Sequence, residues 1–101
     1  MGENKVAAGL MSIAGLIRYE KSITINTSVN ETFDLPLFRC TLFHVAYVYN
    51  KSSCQFIATH GQLHIIRNGL PSAIEISVNG DTLTIAAASG TYGLSIQSLT
   101  L

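Results

Sequence analysis

Three histidines, His44, His60 and His64, are the side chains of this chain suited to act as general bases near neutral pH. Base catalysis by any of them needs a nucleophile within hydrogen-bond reach and a second group to orient the ring. The sequence supplies no such set: it holds no GxSxG nucleophile elbow, no HExxH and no glycine-rich phosphate loop after a strand. Its acids, Glu3, Glu20, Glu31, Asp34, Glu75 and Asp81, are scattered, so a paired-carboxylate glycosidase site would have to be assembled by the fold. His60 and His64 in HGQLH would share a face on a helix, but their surroundings are strand-like and Gly61 marks a turn or bulge between them. Ordinary polar or interface histidines are expected, although one histidine beside a threefold axis would become three ligands. Cys40 and Cys54 have neither zinc-site nor CxxC spacing and read as thiols of a reducing compartment. The expectation is no catalytic residue, no metal ligand and no cofactor.

A second group suits recognition better than catalysis. Tyr47 and Tyr49 run into Asn50, Lys51 and Ser52, an aromatic and polar loop edge of the kind that stacks on sugars or packs on a partner. Tyrosines at strand ends also pack with no ligand at all. The candidate binding residues are Tyr49, Asn50, Lys51, Ser52 and, from a neighbouring turn, Asn68. Asn26, Asn30 and Asn50 begin tripeptides of the glycan-acceptor pattern, which matter only in a secreted chain.

These residues must be positioned by strands. From Ser22 onward apolar residues recur with period two and are rich in β-branched and aromatic types. The clearest element is the hairpin from Ala73 to Ala87, with Asn79-Gly80 as a type I′ loop, which sets Ile76 opposite Leu83 and Ile74 opposite Ile85. Further strands are expected at Ser22–Thr27, Thr32–Leu35, Cys40–Asn50, Gln55–His60, Gln62–Arg67 and Tyr92–Leu99, with turn residues gathered between them. About seven or eight short strands at this spacing predict an all-β, antiparallel sandwich or jelly roll. Strand parity then sends the loops around Ser28, Asn50, Asn68 and Gly90 to one end and the Asn79-Gly80 hairpin to the other, unless Gln55–Arg67 is one bulged strand. The stretch Thr41–Tyr49 is apolar on both faces: Phe43, Val45, Tyr47 and Tyr49 on one, Leu42, Ala46 and Val48 on the other. A strand central to one domain and a strand at a subunit interface both fit that pattern.

With 101 residues the chain makes one domain, divided here into a connecting segment over 1–20 and a sandwich over 21–101. Hydrophobic residues make up 48% and charged residues 12%, about half the usual charged share, and six basic residues balance six acidic ones. Such a chain is neither disordered nor a binder of nucleic acid through a basic face. So much apolar surface on a small domain implies cover from another chain. The twelve-residue run Val6–Ile17 is too short for a bilayer, which takes about 20, so no membrane insertion is expected. Its weak charged flank and missing small-residue cleavage site argue against a secretory signal. It forms a helical or an extended lead-in.

Two stretches carry a resemblance. Ala8-Gly9-Leu10-Met11-Ser12 is similar to a segment that recurs in bacteriophage tail-fibre shafts just before the distal domain. SITINTSVNETFDLPL, then LFHVAYVYN, then the closing ISVNGDTLTIAAASGTYGLSIQSLTL resemble the C-terminal domain of phage and prophage tail fibres, with Leu35-Pro36 and the Tyr92-x-Leu94-x-Ile96 strand at the matching places. The likeness is one of strand rhythm over most of the chain. Two departures stand against it: Ile13-Ala14-Gly15-Leu16-Ile17 replaces the charged continuation of the shaft segment, and no long shaft is present. An excised tip and a short stand-alone virion protein both remain open.

The resemblance implies a β-sandwich that assembles as a homotrimer at a fibre tip, contacts other virion proteins and meets a bacterial surface glycan or protein. It implies no enzymatic activity, and a virion location after synthesis in the host cytoplasm. Interface residues expected on this reading are Leu10, Ile13, Ile17, Phe43, Val45 and Tyr47. The rivals are a purely structural joining or capping protein, and a small sugar-binding module or polysaccharide hydrolase.

Overall fold

The structure, a computed structural model, describes residues 17–101. Among these are eight strands: β1 (Ile17–Ile25), β2 (Glu31–Asp34), β3 (Thr41–Tyr47), β4 (Ser53–Thr59), β5 (Gln62–Asn68), β6 (Ile74–Asn79), β7 (Thr82–Ala87) and β8 (Tyr92–Thr100). All pairings are antiparallel and make two sheets, a five-stranded one in the order β1-β8-β3-β4-β5 and a three-stranded one in the order β2-β7-β6. This is an all-β fold consistent with a β-sandwich; the sheets stay separate, without jelly-roll or barrel closure. The expected lead-in, with Leu10 and Ile13, lies outside the described residues. Ile17 already opens β1, so residues 17–20 belong to the sheet and pair with β8 from Thr100 to Gln97.

Period-two alternation decides which side chains enter the core. Thr41, Phe43 and Val45 of β3, Cys54, Phe56 and Ala58 of β4, Leu83, Ile85 and Ala87 of β7, and Leu94 and Ile96 of β8 are all buried. Three phenylalanines join the layers. Phe56 stacks on Phe43 with centroids 4.9 Å apart, and Phe33 of the smaller sheet meets Phe43 edge-on at 5.6 Å. Phe43 and Val45, expected at an interface between copies, are therefore core residues of one chain, covered by its own second sheet. Tyr47 is half-buried and packs against the same core. The face of β3 left uncovered is the opposite one, with Leu42, His44 and Ala46. Thr41 and Thr100 bury their hydroxyls as a pair 3.0 Å apart.

The hairpin forms with a different loop. Asn79 pairs with Thr82, so Gly80 and Asp81 are the two loop residues, and Ile76 faces Ile85 while Val78 faces Leu83. Gly80 has φ 60° and Asp81 is not in the left-handed region, the pattern of a type II′ turn with glycine first. The pairing moves by two residues, which preserves parity, so the same side chains reach the core.

Strand directions separate two ends. β1 starts at one end together with residues 35–40, the turns at Gly61 and Gly80, and Leu101; Gly61 N–H donates to the Gly80 carbonyl at 2.7 Å and Leu101 N–H to that of Cys40 at 2.9 Å. Turns 26–30, 48–52, 69–73 and 88–91 lie at the other end, as parity requires once β4 and β5 are separate strands. Two of the four sheet edges are blunted: β2 has four residues, and β5 carries an irregularity opposite Gln55 and Phe56 that leaves Ile66 out of register, while β1 and β6 are regular edges.

Candidate functional site

At the end away from Ile17, β3 and β4 are joined by a tight turn, which ends β3 at Tyr47 rather than at the expected Asn50. Lys51 N–H donates to the Tyr47 carbonyl at 2.8 Å, Tyr47 N–H donates to that of Ser52 at 2.8 Å, and Lys51 takes φ 61° to close the loop. Three of the four tyrosines gather there: Tyr47 lies 5.3 Å from Tyr92, edge-on, and 6.0 Å from Tyr49. Tyr49 is 86% exposed. It is a ring held out by a fixed turn and backed by Tyr47, which in turn packs on Tyr92, a geometry suited to stacking on a flat apolar face.

The expected polar contacts at this end divide. Asn50 Oδ1 accepts from Ser52 N–H at 3.0 Å and from the Ser52 hydroxyl at 2.7 Å, and Asn68 Oδ1 accepts from Leu70 N–H at 3.0 Å. Asn26 Oδ1 likewise accepts from Ser28 N–H at 2.8 Å. Each asparagine folds its own loop, as its side-chain carbonyl does in Asx turns. Asn50, Ser52 and Asn68 thus shape this end, and Tyr49, Lys51, Val48 and Val29 are among its outward groups.

The opposite end carries an exposed apolar cluster beside the polar groups His60, Gln62 and Asp81 at the β4–β5 and β6–β7 turns. Ile17, Leu37 and Leu101 are exposed there, and Phe38 is 94% exposed. Arg39 N–H donates to the Pro36 carbonyl at 3.4 Å across a turn whose third residue, Phe38, has φ 64°. That position of a type II turn calls for glycine or asparagine. Arg39 Nε donates to the Leu101 carbonyl at 2.8 Å and pins the turn to the end of β8. Among the described residues, Ile17 is the one expected interface residue that lies on this surface. Leu37 and Phe38 were not among the expected site residues; the signal that could have found them is an aromatic where the turn after Leu35-Pro36 favours glycine.

The titratable groups do not converge. His44 lies on the outer face of the larger sheet, His60 in the β4–β5 turn and His64 on the edge strand β5. No group of three His, Cys, Asp or Glu suited to a metal occurs among the described residues. Lys21 pairs with Glu31, whose carboxylate raises the lysine pKa from its ordinary value. Cys40 is exposed, whereas Cys54 is buried and burial raises its thiol pKa. Compared with protein-family models, with curated proteins and with solved structures, the chain matches none.

Proposed function

We propose that this chain is a non-enzymatic bacteriophage virion protein, the homotrimeric distal domain of a tail fibre or similar appendage. On this reading copies of the chain and other virion proteins meet at the apolar end, and a bacterial surface glycan or protein is met at the tyrosine end. The observation that carries the reading is the opposition of the two ends. Ile17, Leu37, Phe38 and Leu101 expose an apolar surface where β1 begins, and Tyr49 is held out on a fixed turn at the far end. Exposed apolar clusters of this kind mark contact surfaces. Of the four edge strands β2 and β5 are blunted, whereas β1, nine residues long, and β6 are open edges; the contact in this reading is the apolar cluster beside the start of β1.

The test is immunogold labelling of phage particles from the source of the sequence, with antibodies raised against the folded chain. Gold at appendage ends is the expected result. Particles that carry no gold, while the same antibodies detect the chain in the lysate, overturn the assignment.

A further inference from the structure

The outer face of the five-stranded sheet is ordered in rows. Strand register aligns Glu20, Gln97, His44, Gln55 and Arg67 across β1, β8, β3, β4 and β5. Beside that row lies a small one, Ser22, Ser95, Ala46 and Ser53, and on its other side one with an aliphatic middle, Leu99, Leu42 and Ile57, flanked by Arg18 on β1 and His64 on β5. The outer face of the smaller sheet, with Thr32, Thr84 and Ser77 in line, has no such banding.

The polar row is braced. Gln97 Nε2 donates to Glu20 Oε2 at 2.8 Å, and Gln55 Nε2 donates to His44 Nδ1 at 2.8 Å and to Ser53 Oγ at 3.1 Å. With Nδ1 accepting, the neutral His44 ring carries its proton on Nε2. Bracing therefore leaves a carboxylate oxygen on Glu20, one N–H and the carbonyl on Gln97, the Nε2–H of His44, the carbonyl of Gln55 and the Arg67 guanidinium. Donors and acceptors stand side by side along the row, spaced by the ~4.8 Å between strands. One carboxylate and one guanidinium cancel the formal charge of this row, and Arg18 stands at the β1 end of the neighbouring row.

From this row we infer that the outer face binds a neutral oligosaccharide. Every sugar hydroxyl both donates and accepts, which a row of mixed donors and acceptors answers and a single-sign ligand does not. The strand spacing is close to the length of one pyranose ring, so successive rings meet successive strands. Small side chains at Ser95, Ala46 and Ser53 let the chain approach the sheet, and Leu42 and Ile57 offer apolar contact for ring C–H faces. A depression of about 440 Å³ continues the face past Ile57, lined also by Thr59, Gln62 and His64. The inference goes beyond the trimeric reading and requires only that assembly leave this face open.

The test is titration of the full, 15N-labelled chain with tetrasaccharides of β-1,4-glucose, α-1,4-glucose and β-1,4-N-acetylglucosamine, and with an anionic tetragalacturonate, followed through the side-chain amide signals of Gln55 and Gln97. One neutral sugar should move both signals saturably, with about tenfold weaker affinity in His44→Ala and, read through Gln55, in Gln97→Ala, and none of that loss in Ser77→Ala on the outer face of the smaller sheet. Signals unmoved by all three neutral sugars, tighter binding of the anionic one, or loss only in Tyr49→Ala overturns the inference. So does a fall in solution mass for Leu42→Ser, since the face would then be covered by a second copy. A chain that is monomeric and still binds the sugar refutes the trimer alone.

Discussion

Replacement of Phe38 by asparagine separates the stability of the domain from the stability of its assembly. Phe38 has φ 64° in a turn position that favours glycine or asparagine and is 94% exposed, so it adds almost no contact within the chain. The left-handed conformation costs a side chain such as phenylalanine roughly 1–2 kcal/mol, and asparagine less. Phe38→Asn should therefore leave the isolated domain as stable as before or more stable by up to ~1 kcal/mol, a rise of roughly 4–8 °C in Tm for a chain of this size. Assembly should respond in the opposite direction. If Phe38 is buried between copies, its loss removes about 2 kcal/mol per chain and about 6 over three, or about four orders of magnitude in the association constant. Sedimentation equilibrium across a concentration series, with urea melts at the lowest concentration, reads both effects. A variant that associates as tightly as the parent shows that this end is not the contact, and one that unfolds shows that the turn holds Phe38 for the core.

The remaining predictions concern the sandwich itself. Phe43→Ala should lower stability by about 3–5 kcal/mol in urea denaturation, since the ring stacks on Phe56 and meets Phe33. Unfolding instead of mere dissociation is expected; a folded variant altered only in its association would return Phe43 to an interface. Thr41→Val should cost about 1–3 kcal/mol by leaving the buried Thr100 hydroxyl without its partner, and the double variant Thr41→Val/Thr100→Val should regain much of the loss, which a double-mutant cycle measures. A thiol reagent should label Cys40 in the native chain and Cys54 only after unfolding. Because burial raises the Cys54 pKa in the folded state, its contribution to stability is complete below the ordinary thiol value and is lost as pH rises through the folded value. Urea midpoints should fall with alkaline pH in the parent and fall less in Cys54→Ala.

Alternation made β3, β4, β7 and β8 legible because one face of each is buried and the period of two is strict. It located Ile74, Ile76, Leu83 and Ile85 on the core side even though the hairpin loop sits one residue further along, since a two-residue change of pairing preserves parity. The same logic could not tell which apolar face of β3 meets the second sheet, because Phe43 and Val45 alternate with the nearly as apolar Leu42 and Ala46. That choice depends on where β2, β7 and β6 pack, a long-range property. The Tyr49 turn was legible from its composition. Asn50 and Asn68 read as ligand contacts because an asparagine that folds its own loop has the same sequence signature as one that faces a partner. The row Glu20, Gln97, His44, Gln55 and Arg67 was not legible, since it exists only through the register of five strands drawn from both ends of the sequence.

The most direct test of the central claim is the mass of the full chain in solution by sedimentation equilibrium at micromolar concentration. A homotrimer joined through the end that holds Ile17 and Phe38 requires three times the 10.9 kDa of one chain. A mass of one chain, unchanged as concentration rises, would contradict it.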